Sequence, residues 1–392
     1  MLGTPGFRAK RLAQARLARG LTAVSLSELV GVKSANISQY EHAKQSPSPS
    51  VLEKLSQVLN VPQQFFLKPE WTSDMDRINY RSMSSATKGA RNRVEARYEW
   101  MKEIVAYLAE FVDFPALALP NINIPNDFHT LSMADIESIA TACRQFWNLG
   151  VSPISDVVLL LENSGVIVGR GEMGAETLDA FSQWPKDEPR PYIFLGSDKT
   201  SLVRSRFDAL HELGHLLLHR NIDRRALKNN VSFRLMEDQC HYFSSAMLLP
   251  GEAYSRELIE PTLNAFLTLK PRWKASIAGQ IKRCEHLGIL NPDGIKRMWI
   301  NMNRRGWRTA EPLDDKLPTE EPRLLRRSIN LVIESGLKTK SQMIGDLGLN
   351  PGDVEALMCL PAGYFEDRRA EATEPQLKTK MVIEFGRPKW RS

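Results

Sequence analysis

Apolar residues recur at helical spacing near the start of the chain and again over its second half. Short β-branched runs are confined to one stretch between them. Phe7–Arg19 has helical composition. A short helix over Ser25–Val30 is broken by Gly31-Val32, and a third follows over Lys33–His42. After the turn-rich Gln45–Ser50, Val51, Leu52, Leu55, Val58 and Leu59 mark a fourth helix, with Ser50 as its N-cap. Further on, Val94, Tyr98, Met101 and Val105 lie among Arg91, Arg93, Glu95, Arg97, Glu99, Lys102 and Glu103, the pattern of an amphipathic helix lying on a surface. Phe114–Pro125 is proline-rich and reads as a linker.

From Asp127 the pattern becomes mixed. Helices are expected over Met133–Leu149 and Asp156–Ser164. Strands are expected over Val166–Gly169, Asp179–Trp184 and Tyr192–Leu195. A helix then spans residues 211–215, and a longer one runs from about Arg234 to Leu249, stopped by Pro250. Residues 255–392 read as mostly helical, with a loop at Glu311–Pro322 and a small bundle over Leu324–Leu360. The expected fold is multidomain and mostly α, with one small α+β domain. Residues 1–70 form a four- or five-helix bundle, 71–125 a helical linker, 126–255 the α+β core and 256–392 a helical C-terminal domain.

Composition changes this picture little. The apolar fraction is 42% and the charged fraction 25%, enough for a sizeable core. Four scattered cysteines with no C-x2-C pair argue against a cysteine zinc cage and for reduced thiols. No signal-like segment or membrane-length apolar run is present, so the expected setting is the cytoplasm. The formal net charge is +6, and residues 1–70 carry nine Lys/Arg against four Glu, a net of 9 − 4 = +5. The basic excess is therefore concentrated in the N-terminal helices.

The strongest chemical signal is His211-Glu212-Leu213-Gly214-His215. Two histidines four apart on a helix present their rings on one face, one turn apart, and both can reach a single Zn2+. Glu212 then stands beside the ion, where a carboxylate can accept a proton from an attacking water. His219 continues the stripe, but lies too far along a straight helix to be a third ligand and reads as surface or supporting. The helix from Arg234 offers Glu237 and His241 on one face. Glu237 is the chosen third ligand, giving a His2Glu site of the thermolysin type. His241 is assigned to catalysis, with oxyanion stabilisation, replacement of Glu237 as ligand and a supporting role left open.

The run Arg206-Phe207-Asp208-Ala209-Leu210-His211-Glu212-Leu213-Gly214-His215-Leu216-Leu217-Leu218-His219, with Glu237, Cys240, Phe243 and Leu249-Pro250, resembles the metallopeptidase core of the ImmA/IrrE family. The resemblance covers roughly 155–255. It implies a small α/β zincin in which Glu237 completes the zinc site, and an edge strand, taken as Pro191–Leu195, that aligns the substrate backbone. Cys240 stands where the family has alanine, and His241 where it has asparagine.

The pattern Leu21-Thr22, Leu26-Ser27-Glu28, Gly31-Val32, Ile37-Ser38 and Glu41 resembles the helix-turn-helix of the XRE/Cro-repressor family. Ser27 and Gly31 allow two helices to cross closely. Lys33, Ser34, Asn36 and Gln39 then face outward on the recognition helix, with Asn and Gln suited to adenine edges and Lys to guanine or phosphate. Ala23 and Val24 occupy the place of the family's usual glutamine, and a role in protein contact is the alternative to DNA binding. Lys270–Ile277 and Asn303–Arg308 are rich in Arg, Lys and Trp. Packing of Trp under arginine stems is favoured there over a nucleic-acid grip. Together the two resemblances imply a zinc endopeptidase that regulates genes by cutting a protein partner, a small helix-turn-helix repressor, and a homodimer is the expected assembly for tight DNA recognition. The alternatives are a DNA-binding regulator or toxin–antitoxin component whose zincin domain senses a ligand or holds structure.

Overall fold

The computed structural model describes residues 3–70, 87–125, 127–174, 178–185, 188–197, 201–220, 222 and 229–366. Residues 71–86 of the expected linker and 367–392 of the expected C-terminal helical region lie outside them. The N-terminal helices are α1 (Ala9–Ala18), α2 (Ala23–Val30), α3 (Ser34–Glu41) and α4 (Pro49–Leu59), followed by a 3-10 turn, Gln63–Leu67. Each boundary has a local cause. Thr22 accepts the Ser25 amide to cap α2. Gly31, at φ 74°, ends that helix in the left-handed conformation that a side chain would resist. Ser48, not Ser50, caps α4, because Pro49 takes the first helical position, where a missing N–H costs nothing.

Helix α5 (Lys88–Leu108) departs from expectation. It is buried on most sides rather than lying on the surface, with Tyr98, Trp100 and Met101 fully enclosed. Its charged residues are paired instead of solvated. Arg11 of α1 grips Glu103 at 2.7 and 3.0 Å, and Lys102 meets Glu99 at 2.9 Å. A sequence window of mixed charges does not distinguish a solvated face from one that meets partners of opposite sign.

The α+β region contains α6 (Met133–Phe146), α7 (Val157–Asn163), β1 (Ile167–Gly171), β2 (Ala180–Gln183), β3 (Tyr192–Gly196), α8 (Leu202–Leu218) and α9 (Asn230–Leu248). Strand order is β1-β3-β2, with β1 parallel and β2 antiparallel to β3. The strand expected at Pro191–Leu195 is thus central, and does not form the edge assigned to it. Its outer neighbour on the side of α8 is β2. Alternation along the strands divides the interior in two. Ile167, Phe181, Tyr192 and Phe194 face a core shared with α5 and the N-terminal helices, while Val168, Ala180, Ile193 and Leu195 face one shared with α6 to α9.

The remaining helices are α10 (Gly251–Glu257), α11 (Leu263–Trp273), α12 (Ile277–His286), α13 (Pro292–Arg304), α14 (Leu324–Glu334), α15 (Lys340–Leu347) and α16 (Pro351–Leu357). They do not share one core. Trp273, Ile281 and Met302 join the core around α8, whereas Ile329, Leu347 and Val354 join the one around α5. The second group reaches the N-terminal helices directly. Arg19 pairs with Asp353 at 2.5 and 2.6 Å, Lys68 Nζ donates to the Leu347 carbonyl at 2.7 Å, and Asn350 donates to Asn60 at 2.9 Å. The Trp-rich tail is packing, as favoured. Trp273 is buried, Arg272 pairs with Glu257, and Arg308 lies 5.6 Å over the Trp299 ring.

The loop at 311–322 acts as a strap. Glu311 pairs with Lys270 and accepts the Ile277 and Ala278 amides at the start of α12. Glu320 accepts the Val157 amide at the start of α7 and pairs with fully buried Arg206 of α8.

Removing one partner of a buried ion pair leaves an uncompensated charge. Glu320→Ala is therefore expected to lower stability by about 3–5 kcal/mol, read as a large drop in the thermal midpoint. A second sensitive point is Gly214, where a Cβ would lie 3.2 Å from both Cys240 Sγ and Phe243 Cδ1 on α9. Gly214→Val should push the two helices apart and destabilise by about 1–3 kcal/mol in a denaturant titration.

Candidate metal centre

The site is built on α8 and α9, which pack along each other at Gly214. His211 Nε2 and His215 Nε2 lie 3.0 Å apart on α8. Glu237, projecting from α9, brings Oε2 to 3.3 Å from His211 Nε2 and Oε1 to 3.5 Å from His215 Nε2. Two imidazoles and a carboxylate therefore converge from two helices. Glu237 Oε1 is enclosed, and among the described residues no hydrogen-bond donor reaches it. Three donor atoms directed at one point, one of them without a proton donor, fit a divalent cation of the zinc type.

His241 lies on the open side. It is exposed, with its ring centroid 4.7 Å from that of His211 and 5.8 Å from that of Phe207. Ligand atoms of His211, Glu237 and His241 all fall within 4.8 Å of one another, and the same holds for His211, His215 and Cys240. The alternative of His241 as a ligand is thus geometrically open, and Cys240 is a further nearby donor that the sequence reading treated only as a departure from a motif.

Glu212 is buried beside the cluster. The Ser182 hydroxyl of β2 donates to its Oε2 at 2.6 Å. Burial pushes this carboxyl up to about 7, against the opposing pull of His211 and Ser182. Such a group exchanges a proton near neutral pH, as proton-transfer catalysis requires. Ser182 was missed because nothing in a four-residue strand marks which serine will face a helix. The alternation that puts Ala180 on the α8 side puts Ser182 there too.

His219 is neither a ligand nor on the surface. It is buried behind His215, with Nε2 2.9 Å from Gln239 Oε1 and Nδ1 3.3 Å from Cys240 Sγ. Burial pushes it down to about 4.

The residues expected to meet DNA sit far from this centre in the chain. Lys33, at the N-cap of α3, and Ser34 are exposed, while Asn36 and Gln39 are half-buried on the same helix. Ile37 and Tyr40 hold the opposite face in the core. On α2, Val24 and Leu29 are exposed apolar residues.

No helix among the described residues is long and apolar enough to cross a membrane. No curated protein matches the chain. Two family models do: residues 12–65 match a helix-turn-helix, and residues 161–280 match the IrrE N-terminal-like domain, Peptidase_M78. The second match spans the sheet, both helices of the histidine cluster and Glu237; the first spans α1 to α4 almost whole. The chain therefore joins an N-terminal helix-turn-helix domain to an IrrE N-terminal-like domain of a metallopeptidase family.

Proposed function

We propose that the protein is a zinc-dependent endopeptidase that cuts a DNA-binding protein partner, a small helix-turn-helix repressor, and so changes gene expression. The observation that carries this reading is the convergence of His211, His215 and Glu237 beside a buried, near-neutral Glu212. The helix-turn-helix in the same chain narrows the job to a substrate found at DNA.

His211, His215 and Glu237 would hold the metal. Zinc supplies there a Lewis acid that polarises the scissile carbonyl and the attacking water. Glu212 takes the proton from that water and passes it to the leaving amine, and its orientation is held by Ser182. Exposed His241, its ring centroid 4.7 Å from that of His211, would donate a hydrogen bond to the oxygen that gains charge. Among the described residues β2 is paired only with β3, so its other edge is where an extended substrate would add as a further strand. Lys33, Ser34, Asn36 and Gln39 would meet the DNA, with Lys33 on phosphate or guanine and the two amides on adenine edges. A second reading, in which the helix-turn-helix binds protein, draws on exposed Val24 and Leu29.

Glu212→Gln should keep zinc at the wild-type ratio and lose at least about a hundredfold in cleavage of a repressor encoded beside the gene, followed by mass spectrometry. Cleavage at the wild-type rate would end the peptidase reading. Glu237→Ala should lower the zinc content of purified protein; full retention would move the third ligand to His241 or Cys240. Lys33→Ala should weaken DNA binding across all sequences and reduce the salt slope by about 1 in a fluorescence titration.

A further inference from the structure

A histidine offers a metal only the nitrogen that does not carry its proton, and the bond made by the other nitrogen decides which one that is. In metal sites that bond usually runs to a carboxylate, a backbone carbonyl or water. Among the described residues, neither a carboxylate nor a backbone carbonyl bonds to Nδ1 of His215. Its Nδ1 lies 3.2 Å from Cys240 Sγ.

The proton on that nitrogen can be traced from outside the cluster. Gln239 is fully buried, and its Nε2 stands 2.8 Å from the Phe128 carbonyl and 3.1 Å from that of Leu131. Carbonyls only accept, so the amide NH2 faces them and Oε1 faces His219. That oxygen also only accepts, so His219 Nε2, 2.9 Å away, carries the ring proton. Neutral His219 therefore presents a lone pair at Nδ1, 3.3 Å from Cys240 Sγ. The thiol stands between two ring nitrogens and can donate to one while accepting from the other. Its S–H goes to His219, and its sulfur lone pair receives Nδ1–H of His215. The His215 proton is then fixed on Nδ1, and Nε2 is left bare on the side of His211 and Glu237. Among the described residues, His211 Nδ1 is buried and meets no such support.

We infer that Gln239, His219 and Cys240 are positioning residues that hold His215 in the tautomer able to bind the metal, with the thiol as the link that accepts from His215 and donates on to His219. The inference rests on the zinc site proposed above, but concerns the metal-free protein as well. It also assigns Cys240 against the competing role of thiolate ligand.

The test uses the full chain. In protein stripped of metal and labelled with 15N at histidine, the His215 ring should show its proton on Nδ1. A proton on Nε2 would overturn the inference. Zinc affinity, measured by competition with a chromophoric chelator, should fall about ten- to a hundredfold in Cys240→Ala. In Cys240→Ser, whose hydroxyl both donates and accepts, it should stay within a few-fold of wild type. Wild-type affinity in a folded Cys240→Ala protein would sink the proposal. If that variant does not fold by circular dichroism, the serine variant and the wild-type tautomer decide. Cobalt-loaded wild type should lack an intense thiolate-to-metal absorption band, and its presence would make Cys240 a ligand instead. Failure of wild type to bind zinc would defeat the peptidase reading, while the tautomer of the metal-free protein would still stand or fall on its own.

Discussion

Everything at the histidine cluster depends on how closely α9 can lie against α8, and Gly214 sets that distance. With no side chain there, Cys240 and Phe243 settle onto the helix backbone between the two histidines. Glu237, one turn before Cys240, is thereby delivered to the Nε2 atoms of His211 and His215, while Cys240 itself is delivered to Nδ1 of His215. One missing methyl group thus places a partner on each side of the same imidazole ring.

The second organising constraint is the two-residue period of a three-stranded sheet buried on both faces. Ser182 faces α8 and holds Glu212, while its neighbour Phe181 faces the other way and meets Tyr98 of α5 at 5.3 Å. Tyr98 also touches Tyr192, and one turn on, Glu103 grips Arg11 of the first helix. The helix-turn-helix and the strand beside the candidate base are therefore braced against the same rod. Helix α5 meets the N-terminal side through the buried Glu103–Arg11 pair and the sheet through the ring of Tyr98.

Local features were legible in the sequence and pairings were not. The spacing of His211 and His215, the three strands and most helix ends follow from periodicity, caps and breakers, which act within a few residues. Strand order does not, and so Tyr192–Leu195 was given an edge that belongs to Ala180–Gln183. Likewise α5 was read as a surface helix because Arg11, which neutralises Glu103, lies 92 residues away. His219 shows the same limit at short range. Its helical spacing was plain, but what covers it, Gln239 and Cys240, belongs to another helix.

The meeting of α1 with α16 has a consequence for the order in which the molecule comes together. Arg19 and Asp353 are 334 residues apart. At ordinary elongation rates of about 5–20 residues per second, a ribosome needs on the order of half a minute to travel between them. Through that interval the emerging helix-turn-helix has no partners for Arg19, Asn60 and Lys68 on its far side. Until then α5 alone holds the domain against the sheet, and the second brace closes only when translation is nearly finished.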